Sequence, residues 1–396
     1  MEKYRKDSLN RTNKRRQKRK LKPIFKRFIL LFFSAAIIIS ISIFFFQSIK
    51  NSKGDQSKKV VSHGLKKNTP HQKVKLGKVV DSNNAPAIDD YLKSLNFNGT
   101  ALVVKNNKIL INKGYGYADF EKKLPNNSET VYYIGSITKV FISASIMQLQ
   151  AQGKLNINDY LSKYISDFPN GNRIKLYYLL THTSGIPEHS ETKQEISHID
   201  LITKIGQGHL KFPPGTKWNY SDSNYSILAY IVEKVTQEPL DAYVKEHIFN
   251  KAGMKHTGFG DYFSHEPYIS TGYKVKDNSM ISPSLPDMSE LFGCGDIYTT
   301  PYDMYLFDKA LYNGELFSKS SLKQFFTPFK NNYAFGMYRD PGSYSDHGVL
   351  PGFNSLNSFS RSGNEFVVLL SNVQNGVKSL GVANNQIYSI LRDKHL

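Results

Sequence analysis

Cysteine is nearly absent from this chain of 396 residues, which contains Cys294 alone. A single cysteine excludes an intramolecular disulfide framework and any cysteine-rich zinc site. It also excludes a lipoprotein anchor, because such an anchor needs a cysteine directly after an apolar segment. The histidines show no H-E-x-x-H spacing, and no cluster has the spacing of metal ligands, so we predict neither a metal nor another cofactor.

The net charge of the chain is +19, but the region that follows the N-terminal segment has no excess of positive charge. Residues 1–78 contain 22 Lys and Arg against three acidic residues, so residues 79–396 carry 30 charges of each sign. A neutral folded region has no general field that attracts polyanions, and we therefore expect no nucleic-acid partner.

A long apolar run occurs only once, from Phe28 to Phe46. As a helix its 19 residues would span about 28 Å, enough for the hydrocarbon core of a bilayer. Ten Lys and Arg in residues 11–27 against five in residues 47–66 orient the N-terminus to the cytoplasm. A cleavable signal peptide is the rival interpretation, but its apolar region is usually shorter and Phe46-Gln47-Ser48 is not a small-x-small cleavage site.

These signals divide the chain into four predicted segments. They are a basic cytoplasmic tail (1–27), a transmembrane signal-anchor (28–46), a flexible lysine-rich stalk (47–84) and a folded domain (85–396). The stalk is polar and aperiodic, and its lysines either lie against an anionic surface or form a solvated spacer. We predict a single-pass cell-membrane protein with its C-terminal domain outside the cell.

The folded region shows strand patterns at both ends and helical patterns between them. Ala101–Val104 and Lys108–Ile111 are β-rich runs joined at Asn106-Asn107, a hairpin signal, and Phe366–Leu370 is typical of a buried strand. The helical patterns cover Ile137–Met147, Tyr225–Val235 and Leu380–Leu391. We predict an α+β fold in which an antiparallel sheet, built from both chain ends, is flanked by helices and joined to an all-helical region.

Ser136 and Lys139 form the first motif that carries chemistry. At i and i+3 of a helix the two side chains share a face, and Ser136 at the first turn has its N–H near the positive helix end. Desolvation can push a lysine in such a place towards neutrality, so that it takes the serine proton. The pair alone is weak evidence, since a helix cap followed by an exposed lysine has the same spacing.

Three further motifs follow in order along the chain. They are Leu-Leu-Thr-His-Thr-Ser-Gly-Ile at Leu179–Ile186, Tyr-Ser-Asp-Ser-Asn-Tyr at Tyr220–Tyr225, and Asp-His-Gly-Val-Leu-Pro-Gly-Phe at Asp346–Phe353. In this order and spacing, residues from about 90 to 396 resemble the penicillin-binding protein and class C β-lactamase superfamily of serine hydrolases. That superfamily also contains D-alanyl-D-alanine carboxypeptidases, D-aminopeptidases and esterases.

The resemblance implies roles for the first two motifs. Ser136 is expected to be the acylated nucleophile and Lys139 its proton partner. Tyr220 matches the tyrosine of the family's Tyr-x-Asn element, whose phenol, lowered in pKa by the nearby lysine, acts as base or relay. Without the resemblance, a core aromatic with a satisfied hydroxyl is the simpler interpretation of Tyr220.

Asp222 departs from the family pattern, which has Asn at this position. A carboxylate cannot donate the hydrogen bonds of an amide, so Asp222 should alter substrate recognition and hold Lys139 protonated. This argues against an efficient β-lactamase. The simpler alternative is that Asp222 only caps the following helix.

The third motif is irregular as well. The family carries Lys-Thr-Gly or His-x-Gly here, and counting back from Pro351 puts the cationic position on Asp346. A slip of one residue puts it on His347, which we favour for binding a carboxylate or ester, and both registers stay open. Gly348 would let substrate approach the strand, and the N–H of Val349 would complete the oxyanion hole with that of Ser136.

These residues predict a hydrolase that acts through a serine acyl-enzyme. The expected substrates are D-alanyl amides or esters of the bacterial envelope, in cell-wall peptide or a teichoic-acid-type polymer. A β-lactamase and a catalytically silent binder of penicillin or wall polymer are the alternatives. We assign His182 to a structural turn and Cys294 to core packing rather than to chemistry.

Overall fold

The structure is a computed structural model that describes residues 81–277 and 279–392. The predicted tail (1–27), the predicted signal-anchor (28–46) and almost all of the predicted stalk lie outside the described residues. No helix within the described ranges is long and apolar enough to cross a membrane.

The long strands, of seven or eight residues, all belong to one central sheet. The strands are β1 Ser82–Asn83, β2 Gly99–Lys105, β3 Lys108–Tyr115, β4 Tyr117–Asp119, β5 Leu124–Pro125, β6 Tyr132–Tyr133, β7 Gly258–Phe259, β8 Tyr273–Lys276, β9 Ser279–Ile281, β10 Ile297–Thr299, β11 Tyr338–Arg339, β12 Ser343–Leu350, β13 Phe353–Ser360, β14 Glu365–Ser371 and β15 Val373–Gln374.

Most of the helices lie between β6 and β11. The α-helices are α1 Pro86–Ser94, α2 Thr138–Ala151, α3 Leu176–Leu180, α4 His198–Gly206, α5 Ser223–Thr236, α6 Leu240–Val244, α7 Asn250–Ala252, α8 Pro301–Asn313, α9 Lys319–Phe325 and α10 Leu380–Arg392. A π-helical turn, Lys245–Phe249, joins α6 to α7.

The central sheet has seven strands in the order β1-β3-β2-β14-β13-β12-β11. Every pair in it is antiparallel, and β14 from the end of the chain pairs with β2 from its beginning. Asn106 and Asn107 turn between β2 and β3 with φ of +51° and +62°, the left-handed values that a two-residue hairpin needs. The predicted antiparallel sheet from both chain ends is confirmed.

Alternation along the strands gives the sheet two apolar faces. Val103 and Leu369 belong to a core with α1 and α10. Leu102 and Val368 face the larger core, which contains the helical region and α2. Residues 138–149 of α2 are buried on every side, so this helix passes through the core and carries its first turn to the sheet.

Candidate active site

Ser136 lies where a 3₁₀ turn, Gly135–Ile137, runs into α2. Gly135 has φ +52°, a left-handed conformation that side chains disfavour. Ser136 is partly exposed, whereas the helix behind it is buried. A reachable hydroxyl and its backbone N–H therefore lie at the positive end of a helix dipole, as the spacing predicts.

Lys139 lies one turn later, with its side chain only 1% exposed. Its ammonium group donates to Oγ of Ser136 at 3.1 Å and to the carbonyl oxygen of Cys294 at 2.8 Å. Its third contact is Oδ1 of Asp222 at 2.6 Å. The ammonium group therefore donates two hydrogen bonds, and its contact with Asp222 is an ion pair.

The charge of Lys139 follows from these contacts. Burial alone would lower its pKa, but the Asp222 carboxylate raises the pKa well above its ordinary value. The expectation that desolvation neutralises Lys139 is therefore wrong for the resting site. Lys139 is a cation that donates to Ser136, as the carboxylate at position 222 predicts.

Tyr220 lies beside this pair, with its ring centroid 5.1 Å from Nζ of Lys139. Burial raises the pKa of Tyr220, and the charge of Lys139 together with hydrogen bonding to Lys139 and Ser136 offsets only part of that rise. The lowered pKa that the family resemblance implies is therefore not found. Tyr220 is a neutral phenol next to the nucleophile, which suits a proton donor.

The ring of His182 packs against the ring of Tyr220, with 4.3 Å between the ring centroids. Its Nδ1 accepts the N–H of Ser221 at 3.2 Å, so its own proton is on Nε2, which lies 3.2 Å from the hydroxyl oxygen of Tyr333. Burial, reinforced by the charge of Lys139, holds the pKa of His182 well below its usual range. A buried, neutral histidine with both nitrogens engaged agrees with the predicted structural role.

Asp222 stands at the N-cap position of α5, yet its side chain makes no capping hydrogen bond. Its carboxylate, 23% exposed, contacts Lys139 instead. The N–H of Asp222 donates to both carboxyl oxygens of Glu188, at 3.0 Å each. The Asp222 side chain therefore does not cap α5, and the alternative of a pure capping role is not supported. The side chain that binds a backbone N–H at this helix terminus is that of Glu188.

Gly348 marks the point where β12 crosses the Ser136 turn. A Cβ at Gly348 would lie 1.8 Å from the carbonyl oxygen of Ile134 and 3.0 Å from the backbone N of Ser136. A Cβ at Gly135 would lie 3.0 Å from the backbone N of Val349. Only glycines permit this approach, which brings the strand backbone against Ser136 as the predicted oxyanion hole requires.

The two candidates for the third motif differ in exposure, because neighbouring residues of β12 point to opposite faces. Asp346 is 2% exposed and close to Asp308, which accepts from the side chain of Asn357 at 3.1 Å. Burial raises the pKa of both carboxyl groups well above the ordinary value. His347 is exposed, with Nε2 2.6 Å from Oδ1 of Asn354. Of the two, only His347 is open to solvent, and its role in binding remains a prediction.

Cys294 contributes through its backbone rather than its thiol. The thiol is buried and donates to the carbonyl oxygen of Leu291 at 3.2 Å, and burial raises its pKa well above the ordinary value, which agrees with the packing role. Its carbonyl oxygen, however, accepts from Lys139 across 155 positions of sequence. No sequence signal indicated this contact.

Glu188 and Glu191 are the other residues that the sequence analysis did not find. Partial burial and the nearby charge of Asp222 raise the pKa of Glu188 to about 7. The same two causes raise the pKa of Glu191. Part of each side chain is open to solvent near Asp222. The only feature of the sequence that could have indicated these two residues is their position shortly after the Leu179–Ile186 motif.

The assembled groups suit acyl transfer. They are a hydroxyl nucleophile, a buried cation, a phenol and two backbone N–H groups placed near the hydroxyl. Within residues 81–277 and 279–392, no group of three or more His, Cys, Asp or Glu side chains is arranged to hold a metal ion.

Comparison with known proteins gives a family for this site. The family model described as Beta-lactamase matches residues 85–392. A putative penicillin-binding protein of Bacillus subtilis (strain 168) is 44% identical over 391 residues, covering 97% of this chain and 99% of the relative. The teichoic acid D-alanine hydrolase of Staphylococcus aureus is 32% identical over 347 residues, covering 81% and 84%.

A solved structure agrees with these relatives. The crystal structure of FmtA from Staphylococcus aureus aligns with a TM-score of 0.74 and 28% identity, over 80% of this chain and 92% of that one. The family match includes every motif residue from Ser136 to Val349. The chain belongs to the β-lactamase family, and it is a serine hydrolase related to penicillin-binding proteins.

Proposed function

We propose that this hydrolase removes D-alanyl groups from esters on a teichoic-acid-type polymer, through an acyl-enzyme on Ser136. The observation that carries the proposal is the 2.6 Å contact between Asp222 and Lys139. A relative named teichoic acid D-alanine hydrolase supports the same substrate class. D-alanyl amides of cell-wall peptide are the wider class to which the chemistry extends.

Charge at the site favours a D-alanyl ester over a β-lactam. The carboxylate of Asp222 cancels the ammonium charge of Lys139, so the site offers no net positive charge to the carboxylate of a β-lactam. Glu188 adds a negative charge beside Asp222 above its pKa of about 7. A D-alanyl ester carries a free ammonium group, which this environment attracts, and we expect penicillins to acylate Ser136 slowly.

In the acylation step Oγ of Ser136 forms a bond to the ester carbonyl carbon. The serine proton passes to Lys139 while Lys139 gives one of its protons to Oδ1 of Asp222. The N–H groups of Ser136 and Val349 stabilise the negative charge that develops on the carbonyl oxygen. This relay lets a lysine that is protonated at rest accept the serine proton.

Collapse of the tetrahedral intermediate breaks the bond between the carbonyl carbon and the polymer oxygen. Tyr220 donates its phenolic proton to that oxygen and is reprotonated by Lys139, to which Asp222 returns a proton. The net proton transfer is from Ser136 to the departing polymer alcohol. Water then attacks the acyl-enzyme by the same relay in reverse and releases D-alanine.

We also propose that the predicted signal-anchor at 28–46 holds the domain on the outer side of the cell membrane. The stalk at 47–84 would let the site reach a polymer of the envelope. Protease added to intact cells should release a fragment that begins in the stalk. Protection of the domain until the cells are lysed would contradict this orientation.

Paired esters of one alcohol test the substrate. We expect kcat/KM for the D-alanyl ester to exceed that for the matching propionyl ester, which lacks the ammonium group, by about tenfold or more at pH 7. Ser136→Ala should abolish both activities. Equal rates on the two esters would exclude recognition of the ammonium group, and turnover by Ser136→Ala would exclude the mechanism.

A further inference from the structure

A distant side chain holds the backbone of Asp222. Both carboxyl oxygens of Glu188 accept the N–H of Asp222 at 3.0 Å, across 34 positions of sequence. In a capping box the N3 residue of the helix supplies a Glu or Gln for this purpose. The N3 residue of α5 is Tyr225, which has no such group, so Glu188 supplies the acceptor from another segment.

This contact acts on the direction of the Asp222 side chain. Asp222 has φ −63° and ψ −32°, and its carboxylate is not used as a cap. Holding its N–H fixes the peptide plane and hence the direction of the Cα–Cβ bond. That direction determines whether Oδ1 stays 2.6 Å from Nζ of Lys139.

We propose that Glu188 is a positioning residue for acylation, because its carboxylate, by holding the N–H of Asp222, keeps the Asp222 side chain on Lys139. The proposal rests on the proposed function for its substrate but on the hydrogen-bond geometry for its mechanism. It predicts that the loss of Glu188 lowers the reactivity of Ser136 although the two side chains have no direct hydrogen bond.

The charged groups that act on Glu188 make the effect dependent on pH. Partial burial and Asp222 raise its pKa to about 7, the N–H of Asp222 and the charge of Lys139 oppose the rise, and Glu191 adds slightly to it. A carboxylate holds an N–H more strongly than a neutral carboxyl group does. Acylation should therefore weaken as the pH falls through about 7 and Glu188 becomes protonated.

Glu188→Gln is the test variant, since Gln keeps the size, retains one acceptor oxygen and cannot ionise. We expect kcat for the D-alanyl ester to fall by about tenfold or more, any rise in KM from the lost charge to be smaller than the fall in kcat, and the limb of the pH profile near 7 to disappear. Glu188→Asp should recover part of kcat and keep a limb. A structural role alone would alter the melting temperature without removing a limb from the pH profile.

Glu191→Gln is the matched control. Glu191 also acts electrostatically on Asp222, but its carboxyl does not accept the N–H that Glu188 holds. We expect this variant to keep kcat within about twofold and to retain the limb. Equal losses of kcat in the two Gln variants, or a limb that persists in Glu188→Gln, would overturn the positioning role.

Labelling by a fluorophosphonate separates this proposal from the proposed function. The reagent reacts with an activated serine and needs no D-alanyl group. A slower rate of Ser136 labelling in Glu188→Gln than in Glu191→Gln supports the positioning role whether or not the D-alanyl ester is a substrate. Equal labelling rates in the wild type and in Glu188→Gln would refute it.

Discussion

Asp222→Asn removes the charge that faces Lys139 while keeping an oxygen in nearly the same place. Burial of Lys139 favours its neutral form, and Asp222 is the largest of the contributions that oppose burial. Without that charge the pKa of Lys139 should fall. The variant also loses the carboxylate that takes a proton from Lys139 in the proposed relay, while an amide at position 222 can donate to the carbonyl group of a β-lactam.

The magnitude follows from the burial of the pair. Removing one partner of a buried ion pair costs about 3–5 kcal/mol. Asp222 is 23% exposed, the Asn oxygen still accepts, and Lys139 keeps the Ser136 and Cys294 oxygens. We therefore expect the free energy of unfolding to fall by about 1–2 kcal/mol, which lowers the melting temperature by about 2–4 °C in a domain of this size.

The pH dependence of stability has a defined sign. A lysine whose folded pKa is raised contributes stability that is complete below the unfolded value of about 10.4 and disappears as the pH rises through the folded value. The difference in melting temperature between the wild type and Asp222→Asn should therefore be constant above the pKa of Glu188, which is about 7, and shrink in strong alkali.

The rates of acylation by a penicillin and of D-alanyl ester hydrolysis test whether Asp222 selects the substrate. In Asp222→Asn, acylation by a fluorescent penicillin should rise by about tenfold, and kcat/KM for the D-alanyl ester should fall by a similar factor. Asp167→Asn, a change at an exposed aspartate in another segment, is the control and should alter neither. If both rates per folded molecule are unchanged and only stability falls, Asp222 does not select the substrate.

Two further substitutions test other parts of the structure. Gly348→Ala should reduce esterase activity by at least about a hundredfold, because its Cβ would meet the carbonyl oxygen of Ile134 at 1.8 Å and displace the strand from Ser136; normal kcat in a folded variant would contradict the strand contact. Burial and Asp346 raise the pKa of Asp308, so its carboxyl opposes folding once the pH exceeds the ordinary value of about 3.9. Asp308→Asn should therefore raise the melting temperature at pH 8 more than at pH 5, and an equal change at both would contradict a raised pKa.

The sheet and the long helices follow from local patterns. Asn106-Asn107 accepts positive φ without strain, so the hairpin is predictable from two residues. The i, i+3 spacing brings Ser136 to Lys139 because a helix fixes that geometry. The hairpin and the Ser136–Lys139 pair are predictable because each depends only on the backbone geometry of one short segment of sequence.

The charge state of the site depends on contacts that no local pattern contains. The carbonyl oxygen of Cys294 and the carboxylate of Asp222 reach Lys139 from other segments, and Glu188 reaches Asp222 from a third. A backbone acceptor has no signature in the sequence. The pKa of Tyr220 was predicted in the wrong direction because the extent of burial, which outweighs the charge of Lys139, emerges only from the packed structure.

The central claim is that Ser136 forms an acyl-enzyme with a D-alanyl ester. Rapid acid quenching of the folded domain during turnover, followed by intact-mass and peptide analysis, tests it most directly. We predict a transient D-alanyl adduct on the peptide that contains Ser136, and no adduct in Ser136→Ala. Turnover of the ester with no adduct on Ser136, or an adduct that persists in Ser136→Ala, would contradict the account.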